Sequence, residues 1–110
     1  MAQGQYANVN GLKMYYEIHG KGQPLILLHG GLGGVGMFEQ ILPTLTEKRQ
    51  VIAVELQGHG HTADIDRPLS FELMADDIAA LIKHLGSEKI DICGYSLGGG
   101  VALAYQPDRK

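Results

Sequence analysis

Ser96 sits in the stretch of this chain best suited to covalent chemistry. Gly94-Tyr95-Ser96-Leu97-Gly98 is a G-x-S-x-G run between an apolar segment (Ile90, Ile92, Cys93) and Gly99-Gly100-Val101-Ala102-Leu103-Ala104. The segment before it reads as a buried strand and the one after it as a helix, so the serine falls on the turn between them. In so tight a turn the residues two before and two after the serine must lack a Cβ, a condition that Gly94 and Gly98 meet. The serine is then held at the strand tip in a strained backbone conformation with its hydroxyl exposed. The N–H of Leu97, at the helix start, points to where a negatively charged oxygen would form. A glycine-rich turn that binds nothing is the plainer alternative. Against it, glycine costs about 1 kcal/mol relative to alanine in a helix interior, so three glycines in a row call for a packing reason. The chemistry implied is attack by Ser96 on an acyl carbon.

Two further stretches are polar and rich in glycine. His29-Gly30-Gly31-Leu32-Gly33-Gly34-Val35-Gly36 follows an apolar run, and Gln57-Gly58-His59-Gly60-His61-Thr62 follows another that ends at Glu55. The first contains a literal G-x-G-x-x-G at Gly31, Gly33 and Gly36, and Glu55 stands about where a ribose-binding acid belongs. A dinucleotide-binding Rossmann-like domain is therefore the rival reading. Three features weaken it: His29-Gly30 intervenes after the strand, Pro43 spoils the helix that would receive a pyrophosphate, and a hairpin precedes the motif.

The elements that must position these loops are legible. Asn10-Gly11 between two extended runs predicts an antiparallel hairpin with a type I′ turn. Leu25-Ile26-Leu27-Leu28 and Val51-Ile52-Ala53-Val54 are continuous and apolar, as expected of strands covered on both faces. Met37, Phe38, Ile41, Leu42 and Leu45 recur at helical spacing, but Pro43 makes that helix short or kinked. Ser70 can cap a helix whose apolar face is Phe71, Met74, Ile78, Leu81, Ile82 and Leu85, and Gly86 closes it. Glu72, Asp76, Asp77 and Lys83 are expected on its solvated face. A strand over residues 89–93 then leads to the elbow and a short final helix. Strands alternating with helices after a hairpin predict an α/β domain with a parallel sheet.

Length and composition set outer bounds. One hundred and ten residues suit one domain, with 45% hydrophobic and 19% charged residues. A net charge of −3 argues against a nucleic-acid or anionic-membrane surface. The lone cysteine, Cys93, permits no internal disulfide and reads as a small apolar residue in a buried strand. The first residues show no basic segment leading into an apolar one, and no apolar run has membrane-spanning length, so a cytoplasmic protein is expected. No metal or cofactor is called for.

Taken in order, the hairpin, Leu-Ile-Leu-Leu-His29-Gly30-Gly31, Glu55-Leu56-Gln57-Gly58-His59-Gly60-His61-Thr62 and Gly94-Tyr95-Ser96-Leu97-Gly98-Gly99 resemble the N-terminal half of an α/β-hydrolase. The likeness is to the branch holding small esterases, enol-lactonases and cofactor-free haloperoxidase or perhydrolase-type enzymes. It implies a truncated α/β-hydrolase fold over residues 1–110: an N-terminal antiparallel hairpin, then a mostly parallel sheet flanked by helices and incomplete on its C-terminal side. It makes Ser96 the nucleophile and the N–H of Leu97 one oxyanion donor. Gly31 supplies the second, with Leu32 as the alternative because the glycine run leaves the register loose. His29 would support the loop rather than act as base. Glu55, where the family more often has aspartate, would play a structural hydrogen-bonding role. The family's acid and histidine lie C-terminal to the serine, where this sequence has Asp108 and no histidine. His61 or His59 could approach Ser96 across the sheet edge, although local hydrogen bonding is the simpler expectation for both. The expected partners are a small acyl substrate and, through an exposed sheet edge, a second copy or a complementary C-terminal half. A hydrolase fragment that associates but turns nothing over is the competing expectation.

Overall fold

A computed structural model describes residues 4–31, 33–86 and 90–105. The predicted hairpin is formed by β1 (Gly4–Val9) and β2 (Leu12–His19), with Val9 opposite Leu12. Asn10 and Gly11 take φ values of 53° and 82°, as a type I′ turn requires. β3 (Gln23–Leu28) and β4 (Arg49–Val54) follow, separated by a 3₁₀ turn (Val35–Phe38) and the single turn of α1 (Leu42–Leu45), which carries Pro43 in its first turn. The interruption expected at Pro43 is thus a short 3₁₀ turn and one α turn in place of a helix.

α2 (Phe71–Leu85) begins at Ser70, whose hydroxyl accepts the Leu73 N–H at 3.0 Å, and ends at Gly86 in the left-handed conformation (φ 75°). β5 (Asp91–Gly94) and α3 (Leu97–Ala104) complete the described elements. Among the described residues no helix is long and apolar enough to cross a membrane.

The five strands form one mixed sheet in the order β1-β2-β4-β3-β5. β2 runs antiparallel to β1 and β4, while β3 runs parallel to both β4 and β5. Leu28 lies level with Val54 on one side and Gly94 on the other, so the loops leaving β3, β4 and β5 emerge together at one edge. Ligands of open α/β sheets are held at this carboxyl edge.

Alternation along β3 and β4 explains their unbroken apolar character. Ile26, Leu28, Ile52 and Val54 face α2 and α3, while Leu25, Leu27, Val51 and Ala53 face the other way, toward Val35 and Phe38. Each fully buried Leu or Ile contributes about 1.5–3 kcal/mol, and this double-sided core anchors the carboxyl edge.

Two expectations need correcting. Cys93 is exposed, because β5 is the edge strand of the described sheet and has a neighbour on one side only. Asp77 is fully buried. Its carboxylate pairs with both terminal nitrogens of Arg67 and accepts from the side-chain amide of Asn10 at 3.1 Å, in the hairpin turn 67 residues away. Arg67 in turn donates through Nε to Gln57 at 2.7 Å, and Gln57 donates to Asp64 at 2.7 Å. The network ties hairpin, helix and the loop after β4 into one unit.

Candidate active site

Ser96 adopts φ 55° and ψ −110°, one of two non-glycine residues with positive φ among those described. Such a conformation costs on the order of 1–3 kcal/mol and persists only where its surroundings enforce it. They do so here through the main chain. The Tyr95 N–H donates to Leu28 O and the Gly98 N–H to His29 O, both at 3.0 Å, stitching the turn to the end of β3. The glycine requirement is steric: a Cβ on Gly94 would lie 2.1 Å from Gly98 O, and one on Gly98 would lie 2.2 Å from Leu28 O. Strand and helix therefore meet at a distance that only glycine allows. Ser96 is exposed, and its hydroxyl makes no hydrogen bond to any described residue.

The loop leaving β3 lies against this turn. A Cβ on Gly30 would touch the Tyr95 ring at 3.1 Å and Ser96 Cβ at 3.5 Å, and one on Gly31 would lie 4.0 Å from Leu97 Cβ. Gly31 and Leu97 are thus neighbours across the serine, and neither N–H donates to another described residue. Leu32, the alternative donor, lies outside the described residues, as does Asp108.

His29 is fully buried at the root of the loop. Its Nδ1–H donates to Gly30 O at 2.7 Å and its Nε2 accepts the Leu56 N–H at 3.0 Å, so both ring nitrogens are occupied. Burial pushes its pKa below the ordinary histidine value, and nearby His59 adds to that effect while the Gly30 bond opposes it. The imidazole is a neutral brace linking the loops after β3 and β4.

Glu55 is a second brace. Its buried carboxylate accepts from the Val35 N–H at 3.1 Å and from the N–H and Nδ1 of His61 at 2.5 and 3.0 Å. With both oxygens committed, Glu55 is not free for a ribose. The G-x-G-x-x-G segment opens only a four-residue 3₁₀ turn, which offers no helix dipole to a pyrophosphate. The dinucleotide reading loses both of its supports.

The two loop histidines part company. His61 is stacked on Tyr15 of β2 with ring centroids 4.2 Å apart, so β4 and β3 lie between it and the serine turn. His59 lies on the other side, its ring 4.8 Å from that of His29 and its Nδ1–H donating to Gln57 O at 2.9 Å. It lines a cavity of about 250 Å³ with Leu69, Ser70, Phe71, Met74 and Leu97. That His59 and not His61 faces the side of Leu97 could not be read from two loop histidines of equal spacing. A second groove, of about 380 Å³, runs past Met37, Phe38, Ile41, Cys93 and Tyr95 on the opposite flank.

A sheet with a strained serine at its carboxyl edge, beside a glycine loop whose Gly31 N–H donates to no other described residue, has the architecture of an α/β hydrolase. The chain belongs to that family: the profile of the alpha/beta hydrolase fold matches residues 23–108. It is 36% identical over 107 residues to the soluble epoxide hydrolase of Corynebacterium sp. strain C12, covering 94% of this chain and 36% of that protein. It superposes on an esterase from Exiguobacterium antarcticum with a TM-score of 0.84 at 35% identity, covering 96% of this chain and 39% of the other. An enol-lactonase from Burkholderia xenovorans LB400 gives a TM-score of 0.87 at 26% identity, covering 91% and 40%. The esterase and enol-lactonase kinds were expected from the sequence; the epoxide hydrolase widens the range of reactions among the relatives. The chain spans little more than a third of the length of these proteins.

Proposed function

We propose that Ser96 is the nucleophile of a serine hydrolase acting on a small carboxylic ester or related acyl substrate. What supports this reading is the positive φ of an exposed Ser96 near Leu97 and Gly31, neither of whose N–H groups donates to another described residue. Ser96 Oγ attacks the acyl carbon, a general base takes the hydroxyl proton, and the two amides hold the resulting oxyanion. The alcohol departs with a proton, and water hydrolyses the acyl-serine.

The identity of the nucleophile favours acyl substrates over the epoxides named for one relative. Serine attack on an epoxide would leave an ether, which water does not cleave under these conditions, whereas attack on an acyl carbon leaves an ester.

Both nitrogens of His29 are engaged and His61 is held on β2, so neither serves as the base in this reading. Acid and base come instead from residues C-terminal to the elbow. They belong to a sheet that continues past β5, supplied by a longer chain or by a complementary one docking on that edge, where Cys93 is exposed. A second copy of this chain is the other occupant that the edge would accept.

The second reading, of a fragment that associates without turnover, is favoured by the full engagement of His29 and by the distance of His61, stacked on Tyr15, from the serine turn. Removal of triad members leaves roughly 10³–10⁴-fold catalysis over water, from the oxyanion hole and binding alone. Aryl-ester hydrolysis and fluorophosphonate labelling, each compared with Ser96→Ala, separate the two. Labelling confined to Ser96 and lost in the variant supports the serine enzyme. Equal rates and no labelling leave the inactive fragment.

A further inference from the structure

The oxyanion loop is fastened by a thioether. The Gly30 N–H donates to Met37 Sδ at 3.2 Å, and the same sulfur presses on the next turn of the loop, where a Cβ on Gly33 would lie 2.5 Å from it. The Gly33 N–H closes back on Gly30 O at 3.1 Å. Gly31, whose Cβ position lies 4.0 Å from Leu97 Cβ, therefore sits between two glycines that both adjoin one sulfur atom. Met37 is also 45% exposed, whereas Met14 and Met74 are 0% and 2% exposed. Among the described methionines, the one that holds the loop is the exposed one.

We propose that Met37 is a site of reversible oxidation that controls the oxyanion loop, with hydrogen peroxide or another small hydroperoxide as the reagent. The peroxide O–O bond breaks, its terminal oxygen forms an S=O bond on Met37, and the peroxide is reduced to water or the corresponding alcohol. A sulfoxide is polar and larger than the thioether. The sulfur is held between the Gly30 N–H and the space that a Cβ on Gly33 would fill, so the larger sulfoxide is displaced toward the groove that Met37 lines with Tyr95. The Gly30 N–H then loses its acceptor, and Gly31 loses the support that keeps it beside Leu97. The functional consequence rests on the serine-hydrolase reading; the structural one does not. Met37 is a positioning residue, and a methionine sulfoxide reductase restores it with two thiols as reductant, the sulfoxide oxygen leaving as water and the thiols as a disulfide.

The test reads the loop directly and needs no turnover. The ¹⁵N-labelled chain carrying Cys93→Ala, which removes the competing exposed thiol, is treated with hydrogen peroxide and followed by peptide mass mapping and amide exchange. Met37 should oxidise ahead of Met14 and Met74. The Gly30 amide should then exchange about tenfold faster, as for loss of one hydrogen bond, while amides of residues 51–54 keep their protection. Met37→Leu, which keeps the bulk without the acceptor, should show the fast Gly30 exchange from the outset and ignore peroxide. Oxidation of Met14 or Met74 at the rate of Met37, or Gly30 exchange unchanged or slowed after oxidation, overturns the proposal. Failure of Ser96 to label, with Gly30 responding as expected, counts against the hydrolase reading alone.

Discussion

Three consecutive glycines, Gly98, Gly99 and Gly100, should respond to alanine in three different ways. A Cβ on Gly98 would lie 2.2 and 2.6 Å from O and C of Leu28 and 2.7 Å from His29 O. All three are backbone atoms fixed in or beside a central strand, so α3 itself has to retreat. Overpacking of this kind costs about 1–3 kcal/mol. The retreat also breaks the Gly98 N–H bond to His29 O, worth about 1 kcal/mol. Alanine returns about 1 kcal/mol of helix propensity, leaving a net loss of about 1–3 kcal/mol. Gly99 faces more open space: its added Cβ would meet Gly94 O at 3.4 Å, an ordinary contact. There the propensity gain stands almost alone, and Gly99→Ala should be neutral or stabilising by up to about 1 kcal/mol. At Gly100 the obstacle is the Phe71 ring at 2.6 Å, the end of a side chain that is 46% exposed and free to turn aside, so the loss should be small. Urea unfolding midpoints at constant slope measure all three. If Gly98→Ala is as stable as Gly99→Ala, the close docking of helix on strand is wrong, and with it the enforced geometry of Ser96.

Asp77→Ala should destabilise by about 3–5 kcal/mol in the same urea assay, because Arg67 would be left without its carboxylate inside the fold. Joint replacement of Arg67 by Met and Asp77 by Leu should recover much of that loss. His29 has its pKa lowered by burial, so it binds fewer protons folded than unfolded. Its contribution to stability is complete above the unfolded value near 6.5 and is lost as pH falls through the folded pKa. Unfolding midpoints should therefore drop on acidification below about pH 6.5, and His29→Gln should flatten that part of the profile. The Tyr15 phenol is pushed up to about 12, chiefly by its hydrogen bond to Glu17 at 2.5 Å. Phenolate absorbance should show Tyr15 titrating late, and returned toward its ordinary value in Glu17→Ala. Since that pKa is raised, the associated stability is present below about pH 10 and lost as pH climbs to the folded value.

What the sequence displayed and what it concealed divide along physical lines. The hairpin turn, the cap at Ser70, the stop at Gly86 and the serine turn were all legible, because each depends on dihedral or steric demands confined to a few neighbouring residues. Long-range pairing was not. Asp77 looked like part of a solvated face because its partners, Arg67 and Asn10, lie outside the helix. Cys93 looked buried because an apolar strand implies cover on both faces, and β5 has a neighbour on one side only. Phe71 fits the apolar stripe of α2 yet stays half exposed, since it sits at the first turn and lies over Gly100. The positions of His59 and His61 turn on loop orientation, which residue type does not encode.

Asn10 meets two unrelated demands with one side chain. Its backbone must bend through a region that most residues avoid, and its amide must reach a carboxylate on a helix formed much later in the chain. Glycine would satisfy the bend and abandon the acid. Aspartate would tolerate the bend but set two negative groups against each other. Few replacements survive both filters, so a position that looks like a freely variable loop tip should be among the least permissive in the molecule.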